Sequence, residues 1–410
     1  MDKLNGYGNS QKNRENWLGL NWQLGLSTGW GILGLNVASA METDRRFRPV
    51  PFAEFGTIQP GINGSARFIA QLNQRSEQTR QHVGARTSGV SPCGFPVVHS
   101  LGNNIHFEGI PKLRDFNFDG SMNFGICVFE FDLSNEITLQ NAARFEVVFA
   151  GCKWNQAVLK KHGVPNTDLF LHGIDPSLFY PRPKKEQHRF VVFSGGKLEY
   201  RKGQDIVVAA FRQFAKRHSD AVLATVWQNP WGASANGLGT TGYVDEDIDV
   251  DENGCQKIEE WAVRNGISPS QIVDFGEIPN ALMPDIYNQA SVAVFASRCE
   301  GGTNMMAMEA MASGVPCILS ANTGHLDLID DDNCYPLLKQ TSLTTQDLEG
   351  RGEWGESDVD ELVEALERVY HDHNDANMRG ANGARFMGDW TWQKRTQPLI
   401  ERIHQATQNR

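Results

Sequence analysis

Short apolar runs alternate along this chain with longer stretches that are helix-compatible or rich in turn residues. The apolar runs predict strands at Leu18–Leu26, Phe47–Phe52, Pro96–His99, Phe124–Phe131, Glu146–Ala150, Phe190–Ser194, Val222–Trp227, Ile272–Phe275, Val292–Phe295 and Cys317–Ser320. Between two of these runs, Asp205–Arg217 has the pattern of a helix. A repeated order of strand, helix and strand is typical of parallel sheets, so the sequence predicts an α/β fold.

The length predicts two domains, because a chain of 410 residues exceeds what one hydrophobic core usually supports. The segment His172–Gln187 contains three prolines and little periodicity, and a new apolar run begins at Phe190, so we expect the linker there. The predicted domains are 1–180 and 181–385. A terminal segment, 386–410, contains an amphipathic helix predicted over Trp390–Gln405.

Charge and cysteine usage exclude several classes of protein. A net charge of -11 argues against nucleic-acid binding, which needs basic surfaces. The seven cysteines are scattered without metal-ligand spacing, and we expect reduced, buried thiols. No apolar stretch is long enough to span a membrane and the N-terminus lacks a signal-like apolar region, so we expect a cytoplasmic protein. The four arginines of Arg67–Arg86 allow at most peripheral membrane contact.

The stretch Ser297–Ser320 (SRCEGGTNMMAMEAMASGVPCILS) carries the strongest chemical signal. A strand ends before it, two glycines permit a tight turn, and a helix is predicted over Thr303–Ala312. The N–H groups at such a helix start favour an anion such as a diphosphate. Glu300 and Glu309 can accept hydrogen bonds from the vicinal hydroxyls of a sugar or ribose. The residues expected at the anion are Gly301, Gly302, Thr303 and Asn304.

A second stretch, Phe193–Phe211 (FSGGKLEYRKGQDIVVAAF), places two cations around a glycine turn between a strand and a helix. Lys197 and Lys202 are close enough in this turn to reach one anionic group. The competing interpretation is a pair of ordinary surface lysines. The position of the turn at the start of the second domain favours the functional interpretation.

Two further patterns suggest other activities. Gly29, Gly31 and Gly34 form G-x-G-x-x-G after a predicted strand, with Glu54 twenty residues further on, which is the pattern of an NAD(P)-dependent oxidoreductase. The spacing D-x-D-x-N-G-x5-E of a calcium loop also occurs. Its oxygen ligands would be Asp249, Asp251, Asn253 and Glu260. A solvated acidic loop is the competing interpretation of that segment.

Taken together, GGKLEYRKG followed by a helix and SRCEGGTNMMAMEAMASGVP resemble the C-terminal domain of the retaining glycosyltransferase family four, the group 1 glycosyltransferases. The stretches HGIDPSLFYP and DWTWQKRTQPLIERI resemble its interdomain linker and terminal helix. The chain departs from the family in two places. Lys197 stands where arginine is usual, and eight residues instead of seven separate Glu300 from Glu309.

The resemblance implies a B-type fold: two Rossmann-like domains facing each other across a cleft, with the terminal helix crossing back to the first domain. It implies a retaining, metal-independent transfer of a hexose from a UDP- or GDP-sugar to a hydroxyl of a glycan, lipid or protein. No cofactor is required, because Lys197, Lys202 and the helix N-terminus stabilise the departing diphosphate in place of a metal.

The resemblance also assigns residues of the first domain. Gly31 would close over the donor, and Glu130 stands where the family places a histidine that contacts the transferred sugar. His99 and Asn103 are alternatives at the cleft edge, and for His99 a satisfied buried histidine is the competing interpretation. Besides the oxidoreductase, a catalytically silent binding protein of the same fold is a further alternative.

Overall fold

The structure, a computed structural model, describes residues 16–26, 28–53, 55, 66–83, 89–106, 116–131, 133–183, 188–229, 235, 237–343 and 353–409. Its contacts divide the chain into two compact units. The first unit runs to Phe129 and also contains Leu133–Gly173 and Trp392–Arg410, while the second contains Glu130–Asp132 and Ile174–Thr391. Apart from the short segment 130–132, the chain enters the second unit at 173–174 and leaves it at 391–392. The sequence pattern predicted these two boundaries at 180 and 386. Ser27 and Glu54 lie outside the described residues.

The first unit contains a six-stranded parallel sheet with the strand order β2-β1-β4-β6-β7-β8, and β3 pairs with β5 in a small separate sheet. The elements are β1 (Trp17–Asn21), α1 (Gly29–Asp44), β2 (Arg48–Pro51), α2 (Ala66–Val83), β3 (Gly89–Pro92), β4 (Val97–Leu101), β5 (Phe116–Asp119), β6 (Asn123–Cys127), α3 (Asn135–Ala142), β7 (Val147–Ala150), α4 (Lys153–Lys161) and β8 (Thr167–Leu169).

The first strand is shorter than its apolar run. It ends at Asn21, although Trp22 and Leu24 are fully buried. A Cβ on Gly34 would lie 2.5 Å from Nε1 of Trp22, so these apolar residues pack under α1 instead of extending the sheet. Burial by a helix and burial in a sheet give the same local pattern, which is why the run predicted too long a strand.

The first unit also contains the C-terminal helix α11 (Trp392–Gln408), which packs against α1. Arg402 of this helix donates to Asp168 over 2.9 Å, and the ring of His404 lies edge-on to that of Phe47. The predicted segment Arg67–Arg86 forms α2 in its described part. There Arg75 donates to both carboxylate oxygens of Glu42, so this arginine is committed to an ion pair within the unit.

The second unit has a six-stranded parallel sheet with the order β11-β10-β9-β12-β13-β14, and β15 and β16 form an antiparallel pair. The elements are β9 (Phe190–Gly195), α5 (Gln204–Ala215), β10 (Ala221–Val226), α6 (Ile258–Arg264), β11 (Ile272–Asp274), α7 (Met283–Tyr287), β12 (Val292–Phe295), α8 (Met305–Ala312), β13 (Cys317–Ser320), β14 (Tyr335–Leu337), β15 (Gln340–Ser342), β16 (Gly355–Ser357), α9 (Val359–His371) and α10 (His373–Met387).

The core of the second unit lies between this sheet and the helices α5 and α9. Phe211 and Phe214 of α5 and Leu362 of α9 are fully buried in one hydrophobic cluster with Val192 of β9. Fully burying an aliphatic or aromatic side chain contributes about 1.5–3 kcal/mol. This packing holds α5 firmly over the sheet, and α5 begins directly after the loop that carries Lys202.

All seven cysteines are among the described residues and none forms a disulfide. Six of them are buried as expected, but Cys255 is exposed because it lies in a turn in which its amide donates to Asp251. Within the described residues, no helix is both long enough and apolar enough to cross a membrane.

Candidate functional site

The sheet of the second unit has a point at which the strand order reverses. The chain runs outward from β9 through β10 to β11, then returns to the other side of β9 with β12. In open parallel sheets, ligands bind outside the carboxyl ends of the strands at such a point. The loops that follow β9 and β12 are the two stretches in which the sequence placed its candidate donor site.

The loop after β9 depends on two glycines. Gly196 has a φ of 121° and Gly203 a φ of 68°, conformations that residues with a side chain rarely adopt. A Cβ on Gly203 would lie only 2.0 Å from the carbonyl oxygen of Ala296, directly after β12. The backbone of the first loop therefore touches the second, and this close approach places Lys202 beside Glu300.

Glu300 is the centre of the site. Lys202 Nζ donates to both of its carboxylate oxygens over 2.8 Å, and Ser297 Oγ and Asn304 Nδ2 donate to Oε1 over 2.7 and 2.9 Å. Arg201 Nη1 adds a contact of 3.2 Å to Oε2. Burial alone would raise the pKa of Glu300, but the charges of Lys202 and Arg201 lower it to about 2. Glu300 is therefore a firmly held, ionised carboxylate.

Asn304 connects this carboxylate to the following helix. It adopts a left-handed conformation with a φ of 53°, and its side-chain oxygen accepts from the amide of Ala307. The helix α8 consequently begins at Met305, two residues later than the predicted start at Thr303. A short polar side chain such as asparagine tolerates this conformation, and asparagine is a preferred N-cap residue.

A buried histidine fixes Asn304. Nε2 of His325 lies 3.0 Å from Nδ2 of Asn304, and Nδ1 lies 3.2 Å from the carbonyl oxygen of Ser320. Burial lowers the pKa of His325 to about 4, so the ring is neutral. The contacts are satisfied if Nδ1–H donates to Ser320 and Nε2 accepts from Asn304. No local pattern around His325 predicted this role.

The glycine turn is packed against a neighbouring loop. Gly301, Gly302 and Thr303 are all buried, and the amide of Glu300 donates to Thr323 Oγ1 over 2.8 Å. A Cβ on Gly324 would lie 1.8 Å from the carbonyl oxygen of Gly302, so that position requires glycine. This packing fixes the turn at Gly301 and Gly302, which the sequence predicts to lie against the diphosphate.

Glu309 lies in α8 and has its own partners. Its carboxylate accepts from Asn280 Nδ2 over 2.8 Å and from the Tyr287 hydroxyl over 3.0 Å. Burial raises the pKa of Glu309 to about 7, and these two hydrogen bonds offset only part of that effect. Two neutral donors hold a carboxylate that is poised between its charged and neutral forms near neutral pH.

Lys197 is exposed, and its carbonyl oxygen accepts from Gln204 Nε2 over 2.8 Å. The surrounding protein partly removes the Lys197 amine from water and so lowers its pKa, and the positive charges of Arg201 and Lys202 also lower this pKa. Three basic residues of one short loop, Lys197, Arg201 and Lys202, thus lie at the reversal point. An assembly of this kind can stabilise a group that carries several negative charges.

Arg298 is a fully buried charge that the sequence analysis missed. It donates to both carboxylate oxygens of Asp205 over 2.9 and 2.6 Å and to Glu356 over 2.7 Å, and its guanidinium lies 4.1 Å from the ring centroid of Tyr200. Asp205 lies in the first turn of α5, next to the loop that carries Lys202, and Arg298 follows β12, two residues before Glu300. The buried pair therefore connects the two loops of the site and helps to position Lys202 and Glu300.

The glycine pattern of the first unit does not form a dinucleotide loop. Gly29, Gly31 and Gly34 all lie inside α1, whereas the fingerprint needs its first glycines in the turn before the helix. The amide of Gly31 donates to the N-cap Thr28 Oγ1 over 3.1 Å, and a Cβ on Gly31 would lie 3.0 Å from the amide nitrogen of Gly25. Packing explains Gly31 and Gly34, and the contact of Gly31 with a donor stays a prediction.

His99 is buried in the sheet of the first unit. Its ring nitrogens lie 3.0 Å from Asn21 Nδ2 and 2.9 Å from Asn123 Oδ1, in the neighbouring strands, and burial lowers its pKa to about 4. The structure favours the satisfied buried histidine over a residue that contacts an acceptor. Asn103 follows β4 in a short 3-10 turn and is half-buried.

Glu130 follows β6 and is grouped with the second unit. Its Oε1 lies 3.7 Å from Arg201 Nη2, so it contributes to the charged environment of the loop after β9. Its predicted contact with a transferred sugar stays a prediction.

The acidic segment with calcium-loop spacing is organised by ion pairs. Asp249 pairs with Arg264 over 2.5 Å, and Glu260, in the first turn of α6, pairs with Lys257 over 3.4 Å. Asp251 accepts from the amides of Asn253 and Cys255. Among the described residues these carboxylates do not come together as a metal-binding group. Ion pairs and turn hydrogen bonds organise the described segment, and the calcium loop and the solvated acidic loop both stay predictions.

Comparisons with known proteins place the site in context. A sequence model of the glycosyl transferases group 1 matches residues 179–386. A search of curated proteins found no match. The structure is similar to sucrose-phosphate synthase from Thermosynechococcus elongatus, with a TM-score of 0.62, 14% identity and coverage of 96% of this chain and 100% of the other.

Two further solved structures are similar over nearly their whole length. The Anabaena protein HepE in complex with UDP-glucose has a TM-score of 0.59 at 14% identity, with 95% of this chain and 99% of the other covered. A glycosyltransferase from Rickettsia africae has a TM-score of 0.59 at 13% identity, with 96% and 98% covered. At these identities the similarity shows a shared two-unit α/β fold.

Proposed function

Because the chain belongs to the group 1 glycosyl transferases, we propose that it moves a hexose from a UDP- or GDP-sugar to a hydroxyl acceptor with retention of anomeric configuration. The chain is therefore an enzyme of B-type fold, and the oxidoreductase suggested by the glycines of α1 was a wrong alternative. A catalytically silent binding protein of the same fold is the remaining alternative, and turnover of the donor distinguishes it from an active transferase.

The observation that carries the proposal is the contact between Lys202 and Glu300 at the reversal point of the sheet. A lysine ammonium has three N–H donors, of which Glu300 engages two, so one remains to meet a donor phosphate. Lys197 and Arg201 belong to the same short loop. Arg201 is already paired with Glu199 and Glu300, so the positive charge offered to the departing diphosphate would come from Lys197 and Lys202 and would take the place of a divalent ion.

The state of Glu300 argues against a covalent sugar intermediate on this residue. Lys202, Ser297, Asn304 and Arg201 all donate to its carboxylate, and its pKa is about 2. A carboxylate of such low basicity is a weak nucleophile, which disfavours a covalent sugar intermediate on it. We infer that the acceptor attacks on the face from which the diphosphate departs, and that the departing phosphate takes its proton. Five hydrogen bonds already reach the Glu300 carboxylate, so a sugar hydroxyl would donate to Glu300 in place of one of these donors.

Glu309 is proposed to bind the ribose of the nucleotide. Its two oxygens are fixed by Asn280 and Tyr287, and each oxygen keeps a further lone pair for a hydroxyl donor. Related folds bind such ligands: the Anabaena protein HepE is known in complex with UDP and with UDP-glucose. A UDP-sugar is therefore the first donor to test and a GDP-sugar the second.

The acceptor is proposed to be a hydroxyl of a glycan, with lipid and protein hydroxyls as alternatives. We also propose a cytoplasmic location for the enzyme. Neither proposal depends on the geometry of the donor site.

The experiment is product analysis by NMR with a panel of UDP- and GDP-hexoses and simple glycoside acceptors. We expect a product whose anomeric configuration equals that of the donor. Lys202→Ala, which removes a cation of the site, is the reference of reduced activity, and Lys216→Ala, which truncates an exposed lysine after α5, is the matched control. A product of inverted configuration would refute the same-face mechanism, and absence of transfer with every donor would refute the function.

A further inference from the structure

A cluster of three metal-ligating side chains lies in the second unit, away from the candidate donor site. It consists of His218, which follows α5, and of Glu367 and His371, which lie one turn apart near the end of α9. Each residue offers one ligand atom, and all three atoms lie within 4.8 Å of one another. No second group of this kind occurs among the residues that the structure describes.

The distances within this cluster, the His218–Glu367–His371 cluster, match a small coordination shell. Glu367 Oε2 lies 2.9 Å from His218 Nε2 and 3.3 Å from His371 Nε2. In a tetrahedral zinc site with bonds of about 2.0–2.1 Å, the ligand atoms are separated by about 3.3 Å. Only small rotations are needed to surround an ion. The side chain of His371 is 68% exposed and is free to make such a rotation without disturbing the core.

One of the three ligands, His218, is held in place by its neighbours. The ring of His218 lies against Phe214 and Tyr370, with centroid distances of 4.4 and 3.9 Å. The Tyr370 hydroxyl in turn donates to Asp220 over 3.1 Å. A ligand whose orientation is fixed by a surrounding shell binds a metal at a lower entropic cost.

The charge balance of the cluster also suits a cation. Glu367 is the acidic member of the cluster, and basic side chains lie against both of its carboxylate oxygens. Arg217 pairs with the other oxygen, Oε1, over 2.7 Å and leaves Oε2 to the histidines. The Arg217 side chain is 55% exposed and can turn into solvent when a metal brings its own charge.

We propose that His218, Glu367 and His371 bind one divalent transition metal ion, with Zn²⁺ as the best match and water as the fourth ligand. Two imidazoles and one carboxylate suit zinc, whereas magnesium and calcium prefer oxygen ligands alone. The bound ion fastens the end of α5 to the end of α9. It therefore stabilises the second unit and takes no part in sugar transfer.

The position in the fold supports a structural role. His218 precedes β10 and so lies at the amino end of the sheet, whereas Lys202 and Glu300 lie at the carboxyl ends of the strands. The six residues of β10 span about 20 Å between these two edges. The proposal consequently stands or falls independently of the proposed sugar transfer.

The test is a titration of the untagged full-length chain with Zn²⁺, after removal of metals by a chelator, with Co²⁺ as a spectroscopic probe of tetrahedral geometry. The principal variant is His371→Ala, because an exposed side chain is removed without opening the core. His373→Ala is the matched control, since His373 is exposed and lies two residues further on in α10. Glu367→Gln serves as a second ligand variant.

We expect wild type and His373→Ala to bind one Zn²⁺ per chain and to show the visible absorption of tetrahedral Co²⁺. Changes around a metal ligand cost 10–100-fold in affinity, so loss of a ligand in His371→Ala or Glu367→Gln should weaken Zn²⁺ binding at least about tenfold. Zn²⁺ should raise the Tm of wild type and His373→Ala only. Equal Zn²⁺ binding by His371→Ala and wild type, or the absence of saturable binding by wild type, would overturn the proposal.

Discussion

Lys202 Nζ lies 2.8 Å from both carboxylate oxygens of Glu300. The two residues are 98 positions apart in the sequence and follow different strands, β9 and β12. Their ion pair joins the loops at the reversal point of the sheet and fixes both side chains relative to each other. The proposed diphosphate-binding cation and the proposed sugar-binding carboxylate thus form one ion pair.

Glu309 should make stability depend on pH. Its pKa is raised from 4.5 to about 7, so between these values the folded protein keeps a proton that the unfolded chain has lost. The stabilising contribution is complete below the unfolded pKa and is lost as the pH rises through the folded one. Relative to Glu309→Gln, which does not titrate, the free energy of unfolding of wild type should fall by up to about 3 kcal/mol over this range.

Urea denaturation of wild type and Glu309→Gln across this pH range measures the difference. Glu364→Gln, which changes an exposed glutamate of α9, is the matched control and should follow wild type. Parallel curves for wild type and Glu309→Gln would show that Glu309 titrates normally.

The same residue should govern nucleotide affinity. Removal of a charge-assisted hydrogen bond costs about 1.5–3 kcal/mol, so Glu309→Ala should raise the Kd of UDP roughly 10- to 150-fold at a pH where the carboxylate is ionised. For wild type, UDP binding should tighten as the pH rises through about 7, since ionised Glu309 accepts hydrogen bonds from ribose hydroxyls. Calorimetric titration checks both effects, and a pH-independent Kd would assign the ribose to another residue.

Arg298 should be essential for stability. Its side chain and that of Asp205 are both fully buried, so Arg298→Ala leaves an uncompensated buried charge. Breaking such a pair typically costs about 3–5 kcal/mol. Arg368→Ala, which truncates an arginine that is 53% exposed, should cost far less. Chemical denaturation measures both, and an equal, small loss for the two variants would contradict the positioning role of Arg298.

Sugar transfer should persist in EDTA, because the basic loop takes the place of a metal at the diphosphate. EDTA should nevertheless lower the Tm if Zn²⁺ occupies the His218–Glu367–His371 cluster. Initial rates and melting curves measured on the same chelated sample separate these effects. Complete loss of activity that magnesium restores would contradict metal-independent catalysis.

The two glycine turns and the strands of the two six-stranded sheets, apart from β8 and β14, were predictable because their signals are local. Apolar runs of four to six residues gave β9, β12 and β13 to within a residue, and the glycines marked the loops that follow β9 and β12. The prediction failed at Trp22 and Leu24, because an apolar run looks the same whether a helix or a sheet buries it. These two residues are buried under a helix, so the strand is shorter than predicted.

The missed residues act over long distances. Arg298 pairs with Asp205, 93 positions away, and His325 reaches Asn304 across 21 positions. No spacing rule connects such residues, because the fold alone brings them together. The start of α8 was also missed, since the left-handed conformation of Asn304 depends on partners outside the helix. The motifs therefore predicted the candidate donor-site residues, whereas the contacts that support these residues could not be predicted from the sequence.

The central claim is that Lys202 stabilises the departing diphosphate beside Glu300. The most direct measurement is the steady-state release of nucleoside diphosphate from the best donor by wild type, Lys202→Ala and the control Lys216→Ala. Loss of the charge-assisted contact predicts that kcat/KM of Lys202→Ala falls roughly 10- to 150-fold, a difference of about 1.5–3 kcal/mol, while Lys216→Ala equals wild type. Turnover by folded Lys202→Ala at the wild-type rate would contradict the account.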